Sequence, residues 1–383
     1  MIRISRLLFL ILTLSIFPVY SSFSADLESA EKSYDAGEYE DAFIQFLELA
    51  EKGDVEAQFW IGYLFQDGEG VAKDLEESFS WFKSAADNGH AQSQNHVGMY
   101  YYYGNGVKAN TIKALEYLLM SAEQEGDFAL FNLENVFNDI FYNQKIDYEK
   151  AFEILQKSAK DGYKIADYYL SFFYQHGLGV EEDPQTANQL TENAAKAGYV
   201  HAQSRIAEMY NYGYGEDSNL SLAFQWYMKA AAQEDAFSIW MVGIFYVEGK
   251  VVDLNYVEAV KWFEIATEKG LPEGITSLAV MYANGEGVQQ DYLKSHDLYL
   301  QIATKGFAHA QRALGQMYYH GQGVKSNLPF AKMWLDLAAE QGHEVATQEA
   351  SNLVGEMSEE QLAKAKEMKI RMKKEIEKNL ENY

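Results

Sequence analysis

Glycine pairs recur along this chain with a period of 36 residues, and that period constrains the fold more than any other feature. Neighbouring copies are 36 residues apart, apart from a single gap of 73 residues that encloses one degenerate copy. The first glycines of the pairs are Gly68, Gly104, Gly177, Gly213, Gly249, Gly285 and Gly321. A fixed period of this length is typical of a solenoid built from stacked supersecondary units.

Each unit shows the pattern of two helices. In the copy near residue 60, small and apolar side chains recur at helical spacing from Ala57 to Gln66 and again from Leu75 to Asn88. The glycine pair between them predicts a helix stop, because glycine adopts left-handed backbone conformations without a steric cost. In each repeat unit, the second helix follows a residue whose side chain can accept a hydrogen bond from the first turn of that helix. These residues are Asp74, Asn110, Asp147, Asp183, Asn219, Asn255, Asp291 and Asn327.

A large apolar residue also occupies one fixed position of the second helices. Because this position repeats with the unit, it predicts a buried stripe along the array. The stripe consists of Trp81, Tyr117, Ile154, Leu190, Trp226, Trp262, Leu298 and Trp334.

The combined pattern, small–L/I–G-x-x-Y-x-x-G-x-G-V-x-x-D/N-x-x-x-A-x-x-W-x-x-x-A-A-x-x-G, resembles the Sel1-like repeat family, which is related to the tetratricopeptide repeats (TPRs). The resemblance covers residues 54–342 as eight units. It implies an all-α, right-handed α/α superhelical solenoid of helix-turn-helix repeats. The third unit, residues 127–162, lacks the glycine turn, and the sixth has Val251 in place of the second glycine, so the helix connections there stay open.

The first residues have the features of a secretory signal peptide. Arg3 and Arg6 precede an apolar run from Leu7 to Phe17, and small residues allow cleavage before Ala25. We therefore expect residues 1–24 to be removed and the protein to be periplasmic or secreted, with no stable membrane insertion afterwards. A retained N-terminal anchor is the alternative.

The segments that flank the repeats are expected to cap them. Residues 25–53 predict an N-terminal hairpin, and residues 343–383 predict C-terminal helices. Ser358 and Gln361 have the spacing of a capping box at the start of the last helix. Such ends are needed because a bare terminal repeat would expose its stacking face.

Composition limits the partners. The chain has 57 acidic and 31 basic residues, a net charge of −26, so the phosphates of a nucleic acid would be repelled. It has no cysteine, and a large continuous core must stabilise it without disulfides. We expect a monomer that binds protein or peptide partners and has no cofactor.

Three chemical sites were considered. The Gly68-Glu69-Gly70 turn follows no strand and recurs as a connector, which argues against a phosphate-binding loop. The eight histidines show no metal-ligand spacing, so no metal site is expected. Some Sel1-like proteins are linked to β-lactam binding or hydrolysis, and Ser29 and Lys32 match Ser-x-x-Lys, but the rest of such a site is missing. A β-lactamase-like hydrolase is therefore the alternative to a non-enzymatic protein.

The first helices carry the candidate binding residues. In TPR-like arrays these helices line the concave wall, and here several of their positions vary in residue type between copies, which favours exposure. Exposed tyrosine and tryptophan suggest a groove for a protein or peptide. The candidates are Trp60, Tyr63, His96, Tyr102, Tyr103, Tyr168, Phe172, Tyr212 and Trp240. Because other copies carry Ser277 or Ala313 at the Trp60 position, we expect Trp60 to contribute little to stability. Envelope signalling, polysaccharide export and host interaction are the roles that the resemblance implies.

Overall fold

The computed structural model describes residues 26–124, 127–142, 147–213 and 218–381. All regular secondary structure in these ranges is α-helical. The signal peptide predicted at residues 1–24 lies outside them. None of the described helices is long and apolar enough to cross a membrane.

The chain forms two compact units, residues 1–182 and 183–383. The first unit contains α1 (Leu27–Asp35), α2 (Tyr39–Glu51), α3 (Val55–Asp67), α4 (Leu75–Asp87), α5 (Ala91–Tyr103), α6 (Thr111–Gln124), α7 (Asp127–Tyr142), α8 (Tyr148–Lys160) and α9 (Lys164–His176). The second contains α10 (Pro184–Lys196), α11 (Val200–Tyr212), α12 (Leu220–Ala231), α13 (Ala236–Glu248), α14 (Tyr256–Glu268), α15 (Pro272–Asn284), α16 (Tyr292–Ala303), α17 (Ala308–His320), α18 (Leu328–Glu340), α19 (Glu344–Val354) and α20 (Glu359–Glu381).

These helices confirm the predicted all-α solenoid of helix-turn-helix repeats. The odd-numbered helices from α3 to α17 are the first helices of the eight repeats, and the even-numbered helices from α4 to α18 are the second helices of those repeats. All eight predicted Asp and Asn caps accept backbone N–H bonds at the start of a second helix. All seven first glycines end a first helix with a positive φ, between 61° and 79°. The local signals in the sequence therefore set where seven of the first helices end and where all eight second helices begin.

The second glycine of the pair has a role that the sequence did not reveal. A Cβ atom on Gly287 would lie 2.2 Å from the carbonyl oxygen of Tyr256, the first residue of α14. Gly323 stands in the same relation to Tyr292 at the start of α16, at 2.3 Å. The turn of one repeat thus packs directly on the second helix of the repeat before it, at a distance that leaves no room for a side chain.

A glycine is absent at one point where the backbone requires a positive φ. The other repeats whose last residue lies in the described ranges end with a glycine of positive φ, and Glu234 occupies the equivalent place between Gly198 and Gly270 with φ 69°. It is the only non-glycine residue with a positive φ among the described residues. Its carboxylate lies 2.9 Å from Lys269 Nζ, a contact between exposed groups. The backbone of the missing glycine is preserved at a local energetic cost.

The third repeat departs from the others, as expected from its missing glycine turn. The helix α7 has 16 residues, whereas most first helices have 13. Without a glycine stop it continues to Tyr142, and residues 143–146 lie outside the described ranges. In the sixth repeat, Gly249 still ends α13, and Val251 packs against a core cluster that contains residues of α12 and α13.

Of the eight positions of the second-helix stripe predicted to be buried, one is fully buried in the structure. Trp334 is 1% exposed, but the other members of the stripe are only half-buried. The difference arises because α20 packs across α18, where Ile376, Met368 and Met372 join the cluster around Trp334. At Trp226, by contrast, the ring is covered by the ammonium of Lys229, 3.7 Å from the ring centre.

The predicted terminal segments are helical where the structure describes them. Residues 25–53 contain the pair α1 and α2, which shares a core cluster with α3. The capping box is confirmed: Ser358 N donates to Gln361 Oε1 at 2.9 Å, and Gln361 N donates to Ser358 Oγ at 3.2 Å. Lys369 and Lys373 pair with Glu340 of α18 and help to hold α20 in place.

Candidate functional site

The predicted site residues are divided between the two units. Seven lie in the first unit, on α3, α5 and α9, and two lie in the second, on α11 and α13. Each unit therefore has its own set of first-helix side chains.

Trp60 of α3 is not the freely exposed side chain that the sequence suggested. Its ring stacks on Phe46 of α2, with centroids 5.3 Å apart and planes 10° apart, and lies 4.9 Å from Tyr34 of α1. The indole Nε1 is buried without a hydrogen-bond acceptor. The terminal pair α1 and α2 supplies both of these rings, Tyr34 and Phe46.

His96 of α5 occupies the repeat position of Trp60 and is also packed. Its ring stacks on Phe82 at 4.4 Å and lies 5.9 Å from Phe59. Burial lowers the pKa of His96 to about 4, because a charged imidazolium is unfavourable among aromatic rings. Tyr63 is half-buried beside these rings, and its pKa is raised by burial and by the Asp67 carboxylate.

Tyr102 and Tyr103 at the end of α5 are different. Tyr103 is 66% exposed, and its ring lies 5.0 Å from that of Tyr102. Burial and the nearby carboxylate of Asp139 on α7 raise the pKa of Tyr102. The end of α7 adds Tyr142, which is 78% exposed and stacks edge-on against Phe141 at 5.0 Å.

Of the two α9 candidates, Phe172 contacts the end of α7. Phe172 is half-buried, 5.1 Å from Tyr168 and 6.1 Å from Phe141. We call Tyr102, Tyr103, Phe141, Tyr142 and Phe172 the aromatic patch. Three neighbouring first helices of one unit supply it, each from its last turns.

The sequence did not single out Phe141 and Tyr142. They lie in the third repeat, where the glycine turn that aligns the copies is missing. The available signal was the segment Asn138–Asn143, which reads N-D-I-F-Y-N in place of the turn.

In the second unit, Tyr212 is 54% exposed at the end of α11. Trp240 of α13 is half-buried, and its Nε1 donates to Ser277 Oγ of α15 at 2.9 Å. Its ring lies 5.5 Å from Phe237. Trp240 is therefore fixed by a polar contact between two first helices, and Tyr212 is the more accessible of these two candidates.

The lysine of the Ser-x-x-Lys match lies in an exposed ion pair. Lys32 Nζ pairs with Glu28 at 2.6 Å, and the pKa of Lys32 is raised by its hydrogen bond and charge contact with Glu28. A raised pKa makes a lysine a weaker candidate for the base that would activate Ser29. Within the described ranges, no cluster of three or more His, Asp or Glu side chains has the arrangement of a metal site.

The sequence was also compared with known families. The Sel1 repeat model matches eight segments, residues 55–90, 91–125, 142–163, 164–199, 200–235, 236–271, 272–307 and 308–343. The chain belongs to the Sel1 repeat family. In the third repeat only residues 142–163 match the family model, so that match includes α8 but leaves out most of α7. Sel1 repeat proteins typically act as scaffolds that mediate protein–protein interaction.

Solved structures of Sel1 repeat proteins resemble this one. A Sel1 repeat protein from Oxalobacter formigenes is 25% identical with a TM-score of 0.57, covering 79% of this chain and 99% of its own. The protein c5321, a protective antigen of uropathogenic Escherichia coli with an SLR fold, is 23% identical with a TM-score of 0.45, covering 92% of this chain and 85% of its own. No curated protein gives a significant sequence match.

Proposed function

We propose that this Sel1 repeat protein is a non-enzymatic adaptor of the cell envelope that binds a protein or peptide partner on the first-helix face of its first unit. The supporting observation is the aromatic patch, in which Tyr103 and Tyr142 expose most of their surface to water. Large exposed aromatic groups on a packed scaffold mark binding surfaces, because their burial by a partner is favourable.

The packing beneath the patch supports this role. Phe141 lies 5.1 Å from His176 and 6.3 Å from Phe137, so the exposed ring of Tyr142 packs on an aromatic residue that is itself packed. Rings held in this way lose little conformational entropy when a partner covers them. The patch is thus prepared for binding by the same helices that form the core.

Export to the envelope is the second part of the proposal. It rests on the arginines, apolar run and small residues at positions 1–24 and on the net charge of −26. Cell fractionation and N-terminal sequencing of the purified protein test it directly. A mature chain that begins at Ala25 in the periplasm or medium supports export, and an uncleaved chain in the cytoplasm contradicts it.

The binding proposal is tested by affinity capture from an envelope extract with the wild-type chain and with the double variant Tyr103→Ala, Tyr142→Ala. We expect a captured protein, identified by mass spectrometry, whose Kd for the double variant rises by about thirtyfold or more, the loss of about 2 kcal/mol typical of a hot spot. Equal affinity of both chains would show that the patch is not the binding surface.

A matched control removes exposed apolar surface elsewhere. Leu293 on the second helix α16 is 57% exposed, so Leu293→Ala changes a similar kind of side chain outside the first-helix face. We expect this variant to bind as the wild type does. If it loses as much affinity as the patch variant, the effect is non-specific. A nitrocefin assay on the same wild-type sample tests the hydrolase alternative.

A further inference from the structure

A cavity of about 210 Å³ opens between the first helix α17 and the cap helix α19 in the second unit. It is lined by Gln316, Tyr319, His320, Leu335, Glu349, Asn352, Leu353 and Glu356. Pockets for drug-sized ligands are larger, about 300–1,000 Å³. The volume is therefore suited to a single side chain of a partner, not to a small-molecule substrate.

The floor of the cavity is apolar and rigid. Leu335 and Leu353 are 2% and 4% exposed and belong to one core cluster, with Tyr319 packed beside it. Gly315 lets α17 pack closely against α18, since a Cβ atom at position 315 would lie 2.6 Å from Leu335 Cγ. The alkyl part of a side chain would find a preformed hydrophobic contact here.

Glu349 is fixed on one wall of the cavity. Arg312 donates to its two carboxylate oxygens, with Nε 2.9 Å from Oε2 and Nη2 2.6 Å from Oε1. Gln316 Nε2 donates to the same Oε1 at 2.9 Å. This carboxylate is neutralised by Arg312 and held in a single orientation, so it can shape the pocket without adding net charge.

Glu356 carries the uncompensated charge at the cavity. Its two oxygens accept hydrogen bonds from the Tyr319 hydroxyl, both at 3.2 Å, and it makes no ion pair with a described lysine or arginine. The hydrogen bond and the charge of Glu356 raise the pKa of Tyr319, as expected beside an ionised carboxylate. Glu356 is thus directed by Tyr319 but lacks a cation.

The helix ends add to the negative potential. The contacts Arg312–Glu349 and Tyr319–Glu356 both join residues 37 apart, so α17 and α19 run parallel. Tyr319 and Leu353 lie in the last turns of these helices, so the cavity lies at the C-terminal ends of both. The C-terminal end of a helix carries partial negative charge and favours cations.

We infer that this cavity receives a lysine or arginine side chain from the protein partner. The alkyl stem lies on Leu335 and Leu353, and the cationic group binds between Glu356 and the helix ends. The inference deepens the proposed function and rests on it only for the claim that the cation belongs to a protein. The excess of acidic residues in the chain favours the approach of a basic segment.

Leucine-methyl NMR of the full chain tests the cavity without knowledge of the partner. The probe is Nα-acetyl-lysine methylamide, and the comparison compound is the norleucine analogue, which keeps the stem and lacks the ammonium. We expect the lysine probe to give saturable shifts of the Leu335 and Leu353 methyl signals, and the norleucine analogue to bind about tenfold more weakly or worse, since a charged hydrogen bond is lost. Added salt should weaken the lysine probe alone.

The variant Glu356→Gln should lower the affinity for the lysine probe by about tenfold. Glu344→Gln is the matched control, because Glu344 is an exposed acid at the opposite end of α19 and the charge change is the same. We expect this control to bind as the wild type does, and Tyr319→Phe, which frees Glu356 from its positioning bond, to give an intermediate loss.

Equal binding of the lysine and norleucine compounds, no methyl shifts with either, or an unchanged affinity in Glu356→Gln would each overturn the inference. A loss of affinity in Glu344→Gln as large as that in Glu356→Gln would also overturn it, because the effect would then follow net charge. The capture experiment with the aromatic patch is a separate measurement in the other unit. Either result can fail while the other holds.

Discussion

Two positions of the first helices behave in opposite ways in the first unit. The middle position, occupied by Trp60 and His96 in successive repeats, is packed against aromatic rings of neighbouring helices. The last position, occupied by Tyr103, projects into water. Both positions vary in residue type between repeats. At the helix end, varied residue types go with exposure, because an exposed position places no packing demand on its side chain. At the middle position they do not, since Trp60 and His96 differ and yet each stacks on the phenylalanine at the equivalent place of the preceding helix, Phe46 or Phe82.

The contrast between the two positions is testable through the free energy of unfolding of single variants. Trp60→Ala should give the largest loss, about 2–4 kcal/mol, because it removes a half-buried ring that stacks on Phe46. Chemical denaturation measures it. A loss below about 0.5 kcal/mol would place Trp60 with the exposed residues and remove the contrast.

The stability that His96 contributes should depend on pH. Its folded pKa is about 4 and its ordinary value is 6.5, so the unfolded chain takes up the proton first as the pH falls. The stability from a neutral His96 is therefore complete above pH 6.5 and declines from there to pH 4, by up to about 3 kcal/mol in total. Denaturation of the wild type and of His96→Phe between pH 7 and 4 isolates the contribution of His96 to the pH dependence of the free energy of unfolding. Parallel curves for both chains would contradict the buried assignment.

Trp240→Phe should cost about 1 kcal/mol, because it deletes the indole donor to Ser277 and keeps an aromatic ring. Ser277→Ala should cost a similar amount through the same bond. A double-mutant cycle sharpens the comparison, since the two losses should not add if they report one hydrogen bond. Fully additive losses would mean that the bond does not contribute.

Tyr103→Ala should change the free energy of unfolding by no more than about 0.5 kcal/mol, since its side chain is largely exposed. The same thermal or chemical denaturation assay applies, with Trp60→Ala as the reference. A clear loss of stability would show that the helix end is a packing position too, and would remove the structural basis for the aromatic patch.

The sequence predicted the features that depend on neighbouring residues. The caps of the second helices and the glycine stops of the first follow from local backbone chemistry, and the structure shows them where expected. Burial at Trp60 could not be predicted in this way, because it depends on Phe46 and Tyr34 in the terminal helix pair. The uneven burial of the Trp334 stripe depends on α20, which has no counterpart inside the repeats.

The helix α20 also has a consequence for the order of events during synthesis. It is the last described helix, and Ile376 near its end completes the cluster around Trp334. Since a ribosome releases the chain from the N-terminus onward, the C-terminal repeats emerge with this surface uncovered and are shielded only when residues 359–381 arrive. A chain cut before residue 359 would therefore keep Trp334 accessible to water and to proteases. Shielding of this tryptophan thus distinguishes chains that include α20 from interrupted ones.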